Sequence, residues 1–146
     1  MADEGAKTAE HNPRVAIKVM ILKDGKVLLG MRKKPFAQGQ YEFPGGHLEH
    51  MESFEECAIR EAREECGIEI EDVNFQCLAN VRKYRPRHYV HIGLIADWKS
   101  GVPKLLEPDN NEDWDWYDLD HLPTPLFEPC AIIIDSYLTG NNYYVL

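Results

Sequence analysis

The chain has 146 residues and a formal net charge of −9, from 16 basic against 25 acidic residues, with 44% hydrophobic and 28% charged positions. That length suits one domain around one core, and no window approaches the ~20 apolar residues of a membrane-spanning helix. A surface of this sign repels a phosphate backbone, so a nucleic-acid polymer is not the expected partner, and neither is a membrane.

Residues 1–12 are small and charged with no apolar run, which reads as a disordered tail of a cytoplasmic protein ahead of a single domain at 13–146. Arg14 to Leu22 reads as a Val- and Ile-rich strand, and Asp24-Gly25 has the composition of a type I′ hairpin turn before a second strand, Lys26 to Gly30. Met31 to Gln40 reads as a loop that leads into a short extended piece, Tyr41 to Pro44, and a tight bend at Gly45-Gly46. The next element is the best specified: Ser53 and Glu56 form an S-x-x-E capping box, Gly67 supplies a stop, and together they predict a helix over Phe54 to Cys66. Beyond it, Ile68 to Ile70 reads as a short strand, followed by two longer ones, Asn74 to Tyr84 and His88 to Trp98, joined across Arg85-Pro86-Arg87. Lys99 to Asn111 reads as a loop, Trp114 to Tyr117 as a last strand, and Glu128 to Leu138 as a closing helix with Pro129 in its first turn. The order implies an α/β chain, a mixed sheet with helices on both faces. Cys57, Cys66, Cys77 and Cys130 contain no C-x-x-C pair and read as buried free thiols, not as a zinc site or a disulfide framework.

On the capped helix, Phe54, Ala58, Glu61 and Glu65 follow a 4-3-4 spacing and share one stripe, flanked by Cys57, Ala62 and Cys66. Two glutamates therefore lie on the inward face, with Glu64 at its edge. Glu61 and Glu65 are a like-charge i,i+4 pair, and partly buried carboxylates are expensive to keep ionised. A hard divalent cation removes both costs; magnesium is the natural occupant and manganese a substitute. The alternative is an acidic face left in water, with Arg60 paired to Glu56 and Glu64 at i,i+4 spacing. That pairing leaves Glu61 and Glu65 unexplained.

The run Gly46-His-Leu-Glu-His-Met-Glu52, then seven residues to Arg60-Glu61-Ala62-Arg63-Glu64-Glu65-Cys66-Gly67-Ile68, resembles the Nudix box G-x5-E-x7-R-E-U-x-E-E-x-G-U, where U is a bulky aliphatic residue. If each of the seven fixed positions is taken at the ~7% usage of glycine, a chance match is on the order of 10⁻⁸. The spacing has its own physical account: Gly45 and Gly46 permit a turn that a Cβ would obstruct, leaving a carbonyl to face an ion, and Glu52 can reach Arg60 to lock loop to helix. Ala62 stands where the box has a larger aliphatic residue, and Met51 where glycine is common. Phe43-Pro-Gly-Gly-His-Leu-Glu49, His88-Tyr-Val90 and Trp114-Asp-Trp-Tyr-Asp118 extend the likeness to the MutT-type nucleotide diphosphatases, particularly their plant and animal cytosolic branch.

The resemblance implies a Nudix fold, an α/β/α sandwich, and a magnesium-dependent hydrolase that converts a nucleoside triphosphate, oxidised forms of the 8-oxo-dGTP type among them, to monophosphate and pyrophosphate. It also implies a homodimer. ADP-ribose or a dinucleotide is the alternative substrate class, and a nucleotide-binding module without catalysis is a further alternative. Metal binding and catalysis carry over onto Glu61, Glu64 and Glu65, with the Gly45 carbonyl as a further ligand and Arg60 and Glu52 in support; which glutamate takes the proton stays open. Arg32 is the candidate phosphate clamp, Gly46 lies against the substrate, Asn111 is the candidate for base recognition, and Phe127 for the base pocket, although Glu128 follows it where tryptophan is common. Glu107 or Glu112 is a candidate additional metal ligand. The basic run at 82–87 reads as a hairpin turn held in water, with substrate phosphates or a partner as the alternative. Trp114, Trp116 and Tyr117 read as core, and His47 and His50 carry no assigned role.

Overall fold

In the computed structural model, which describes residues 11–146, four strands lead up to the capped helix: β1 (Arg14–Lys23), β2 (Lys26–Arg32), β3 (Tyr41–Glu42) and β4 (Gly45–His47). Helix α1 (Phe54–Cys66) is followed by β5 (Glu69–Val81), β6 (Tyr89–Ser100) and β7 (Asn111–Asp118), and then by α2 (Glu128–Thr139) and β8 (Tyr143–Val145). The strands form one sheet in the order β3-β2-β1-β6-β5-β8, with β4 paired to β1 and β7 to β2. β1 runs parallel to β6 and antiparallel to β2 and β4, so the sheet is mixed as expected.

The alternation of side chains along β1 builds two cores on opposite faces of this sheet. Ile17, Val19 and Ile21 pack with Cys57, Ala58, Ala62 and Cys66 of α1, whereas Met20 packs with Cys130, Ile132 and Ile133 of α2. A helix therefore covers each face, which is the α/β/α arrangement.

The local signals behave as their chemistry requires. Asp24 and Gly25 adopt φ of 51° and 77°, both positive as a type I′ turn demands. Ser53 accepts from the Glu56 N–H at 3.0 Å while the Glu56 carboxylate accepts from the Ser53 N–H, and Gly67 closes the helix at φ 68°. The helix has the bounds the capping box predicts.

Elsewhere the structure corrects the sequence reading. The two predicted strands after α1 are one, β5, kinked at Asp72 (φ 51°) and carried through three shifts of register against β6. β7 begins at Asn111 instead of Trp114, because the polar run Asn111-Glu112-Asp113 pairs with Met31 and Arg32 across a bulge. The bend at Gly45-Gly46 is itself strand β4, and β8 was not anticipated. Phe54 is exposed, because the face that meets the sheet runs through Cys57, Ala58, Ala62, Glu65 and Cys66. Met51 sits in the left-handed region at φ 64° and points into water, so the departure from glycine strains the backbone by about 1 kcal/mol without reaching the site. All four cysteines are free and buried, and burial pushes the Cys57 and Cys130 thiols up to about 12. The expected disordered tail falls mainly on residues 1–10, outside the described residues. Among the described residues no helix is long and apolar enough to cross a membrane.

Candidate active site

A cavity of about 560 Å³ is lined by Glu61, Glu64 and Glu65 of α1, by Gly45 and Gly46 of β4, by Lys18 and Arg32, and by aromatic side chains from four other segments. Two groups of side chains make it up, one acidic and one aromatic.

The acidic group forms where β4 passes the buried face of α1. Glu65 is only 5% exposed, and its Oε1 accepts from the Gly45 N–H at 3.0 Å. A Cβ on Gly46 would come within 2.5 Å of Glu61 Oε1, so the bare backbone lets the carboxylate lie against the strand. Burial raises the Glu65 pKa well above the usual carboxylate range, opposed by the charge of Lys18 and reinforced by the nearby Glu61 carboxylate.

Arg60 holds this group together. Its Nε and Nη2 grip the two oxygens of Glu52 at 2.7 and 3.0 Å, its Nη1 reaches Glu61 at 2.8 Å and Glu64 at 3.2 Å, and Nη2 also donates to the His47 carbonyl at 3.3 Å. Hydrogen bonding by Arg60 brings the Glu52 carboxyl down to about 2. The loop-to-helix lock expected of Glu52 is therefore present. The i,i+4 pairing of Arg60 with Glu56 is not: Glu56 closes the capping box, and Arg60 turns to Glu61 instead.

As the side chains stand, no three acidic, imidazole or thiol groups among the described residues are gathered tightly enough to hold an ion. The donor chemistry nonetheless fits magnesium. Glu61 and Glu65 are hard oxygen donors whose like charges oppose each other, burial resists the ionisation of Glu65, and a divalent cation would relieve both penalties. Glu64, with its side chain 52% exposed, and the Gly45 backbone complete the set that the sequence points to. Glu107 lines the same cavity, whereas Glu112 is exposed and does not, so of the two loop candidates only Glu107 is placed near the cluster.

A buried polar network lies beside it. Glu42 of β3 accepts from Lys18 Nζ at 2.6 Å and Arg32 Nη1 at 2.7 Å through Oε1, and from Asn111 Nδ2 at 2.9 Å through Oε2. Burial alone would raise the Glu42 pKa, but the two cations bring it down to about 2. Asn111 is thus committed to Glu42 and does not line the cavity, in place of the base contact expected of it. Arg32 does line it; Nε donates to the Phe36 carbonyl at 3.1 Å, and Nη2 has no protein partner among the described residues.

The aromatic group centres on Phe127. Its backbone N–H donates to the Tyr41 carbonyl at 2.8 Å, which anchors the start of α2 to β3. The Arg32 guanidinium lies 4.5 Å from the Phe127 ring centre, and Phe36 and His91 approach the ring edge-on at 6.2 and 6.3 Å. The basic turn at 82–87 stands largely in water as expected, with Arg82, Lys83, Arg85 and Arg87 exposed, while the half-buried Tyr84 meets the Phe36 ring edge-on. Tyr84 and Lys83 both bond the Glu128 carboxylate, Lys83 at 2.9 Å, and the Arg87 guanidinium sits 4.5 Å from the Phe36 ring centre. Glu128, unusual beside Phe127, is explained by these two partners. Trp114 is core as expected, with Trp116 packed partly against the same core and Tyr117 against the core on the opposite face. His47, given no role from sequence, lines the cavity and stacks on Tyr89 at 5.7 Å.

Sequence reading missed Lys18, Glu42 and His91. Lys18 had a visible signal: one cation inside an otherwise apolar strand must find a buried anion. Glu42, a lone acid between Tyr41 and Phe43, is that anion.

The paired glycines separate two effects of one methyl group. Gly45→Ala is expected to destabilise the protein, since its Cβ would fall 1.9 Å from the Ile17 carbonyl oxygen in β1. Gly46→Ala meets only the far end of Glu61, so it is expected to shift the melting temperature little while lowering kcat by roughly tenfold or more through a displaced carboxylate. Thermal melts and initial rates on the two variants check the contrast.

Comparison with known proteins places this geometry among relatives. The NUDIX domain family model matches residues 11–135. The NAD-capped RNA hydrolase NudC of Stutzerimonas stutzeri is 34% identical over 134 residues, covering 88% of this chain and 46% of its own length. This chain spans less than half the length of the NudC relatives it matches. The ADP-ribose pyrophosphatase of Methanocaldococcus jannaschii is 33% identical over 132 residues, 90% of this chain and 76% of that protein. A crystal structure of a MutT NUDIX hydrolase from Burkholderia pseudomallei superposes with a TM-score of 0.80 at 33% identity, covering 86% of this chain and 98% of that one.

Proposed function

The chain belongs to the Nudix family of hydrolases, and from that premise we propose that it cleaves the phosphoanhydride of a nucleoside triphosphate to give the monophosphate and pyrophosphate. One observation carries the reading: the Glu61 and Glu65 carboxylates line the same cavity as a single aromatic compartment, which suits one base and one polyphosphate chain.

Magnesium held by Glu61, Glu64, Glu65 and the Gly45 carbonyl would supply charge neutralisation at the phosphates and acidify water for attack. The protein's own contribution is positional. Arg60 aims Glu61 and Glu64, Gly45 fixes Glu65, and Glu61 or Glu65 takes the proton from the attacking water. Arg32, with Nη2 uncommitted and its plane near Phe127, is placed to bond the substrate between its base and its phosphates. Phe127 offers the base an apolar wall.

A second reading, hydrolysis of ADP-ribose or a dinucleotide, is favoured by the names of the ADP-ribose pyrophosphatase and NudC relatives. The acidic surface argues against the RNA polymer itself as the bound species. The family branch that acts on oxidised guanine nucleotides remains part of the first reading.

Product analysis separates the two. With magnesium, the first reading expects equimolar monophosphate and pyrophosphate from dGTP, 8-oxo-dGTP or another triphosphate in the panel. Two monophosphates from ADP-ribose at higher kcat/KM would replace it with the second. In either case a chelator is expected to abolish turnover and added magnesium to restore it; hydrolysis that persists without divalent ions would overturn the metal assignment.

A further inference from the structure

We propose that His91 recognises the substrate's heteroaromatic base, hydrogen-bonding its polar edge from inside the aromatic compartment. The inference rests on the nucleotide reading above and names a group that reading does not use.

His91 lies on β6 between Val90 and Ile92. Ile92 points into the core under α1, so the alternation of the strand turns His91, with Tyr89, to the opposite face and into the cavity. Tyr89 stands 5.6 Å from the imidazole and Phe127 6.3 Å, centre to centre. Among the described residues, His91 Nδ1 is the one buried side-chain nitrogen or oxygen with no hydrogen-bond partner. An unpaired buried polar atom is costly, and an apolar ring would pack against Phe127 and Tyr89 without that cost. Nδ1 is closed to solvent, so a ligand that brings its own polar edge into the compartment supplies the missing partner once the imidazole turns about its Cβ–Cγ bond to present it.

The chemistry of the surroundings narrows what that edge is. Burial, with the charges of Lys18 on β1, Arg32 on β2 and His47 on β4 and against the weaker pull of Glu42 on β3, lowers the His91 pKa to about 3. The ring is therefore a neutral imidazole at working pH, with one donor and one acceptor. No protein partner fixes which nitrogen holds the proton. It can donate to a keto oxygen or ring nitrogen, or accept from an amino group, so it favours any base edge that carries such groups and discriminates little between adenine and guanine.

Binding measurements that need no turnover test this. Titration calorimetry with AMP, GMP and ribose 5-phosphate is compared between wild type, His91→Phe and His91→Gln. We expect Kd for AMP and GMP to rise about tenfold in His91→Phe and to be largely restored in His91→Gln, while ribose 5-phosphate, which has no base, binds all three alike. KM for the triphosphate is expected to rise with Kd, with a smaller change in kcat. The melting temperature of His91→Phe is expected to rise by about 2–4 °C, since an unpaired buried nitrogen is removed. AMP and GMP affinities in a folded His91→Phe that equal those of the wild type overturn the inference, and so does an equal loss for ribose 5-phosphate, which would mean a structural role. Wild type that binds AMP through His91 but hydrolyses no nucleotide defeats the proposed function and leaves this inference standing; failure to bind any of the nucleotides defeats both.

Discussion

Glu65→Gln is expected to lower kcat by roughly 10³-fold or more while leaving the melting temperature unchanged or raised. The size of the loss follows from the position: Glu65 is the most buried of the three glutamates and stands beside Glu61 in the cavity. The retained fold follows from the same geometry. Glutamine keeps an oxygen to accept from the Gly45 N–H, and it removes a carboxyl that burial makes hard to ionise, so the resting protein loses nothing. Glu64→Gln is the internal comparison. Its side chain is half exposed and already paired with Arg60, so its loss is expected to be at least tenfold smaller. Steady-state rates at saturating magnesium, with melts on the same samples, decide the matter; a Glu65→Gln enzyme with wild-type kcat would remove the acidic cluster from the mechanism.

What could be read in the sequence divides along a physical line. α1 was legible to the residue because its ends are set by local chemistry, the Ser53–Glu56 box and Gly67, which need no knowledge of the rest of the chain. The same holds for Asp24-Gly25. β7 was truncated because Asn111, Glu112 and Asp113 have poor strand propensity, and only the pairing with β2 makes them a strand. The box motif names Glu61, Glu64, Glu65, Arg60 and Glu52 together, and all of them lie on one helix and the loop that enters it, where Arg60 bonds Glu52, Glu61 and Glu64. Partner choice within the cluster was not legible: Arg60 has Glu56, Glu64, Glu61 and Glu52 within reach, and the capping box decides the competition by occupying Glu56. The network around Glu42 was invisible for a different reason. Its members come from β1, β2, β3 and β7, and no window of sequence contains them together.

That network yields the largest expected effect on stability. Glu42→Gln is expected to lower the folding free energy by about 3–5 kcal/mol, which at this chain length is a fall in melting temperature of roughly 10–15 °C, because it leaves two buried cations without their anion. Lys18 and Arg32 have side chains only 8% exposed, so water cannot replace the carboxylate. The pH dependence has a definite sign. The folded pKa of Glu42, about 2, lies below its usual 4.5, so the stabilisation is complete above pH 4.5 and is lost as pH falls from 4.5 through 2. Lys18 is shifted the other way: burial opposes its charge, but Glu42 and neighbouring acids outweigh burial and raise its pKa above 10.5, so its share is complete below 10.5 and is lost as pH rises beyond it. Urea unfolding of wild type and Glu42→Gln from pH 2 to 7 should therefore converge at the acid end and separate above pH 4.5. Combining Glu42→Gln with Lys18→Met should recover part of the loss, since one cation leaves with the anion. Activity is expected to follow a different course from stability: Lys18→Met/Glu42→Gln should refold without regaining KM, because Arg32 has lost the carboxylate that orients it between Phe127 and the phosphates. A double variant as unstable as Glu42→Gln alone would mean that Lys18 and Glu42 are not a pair in solution.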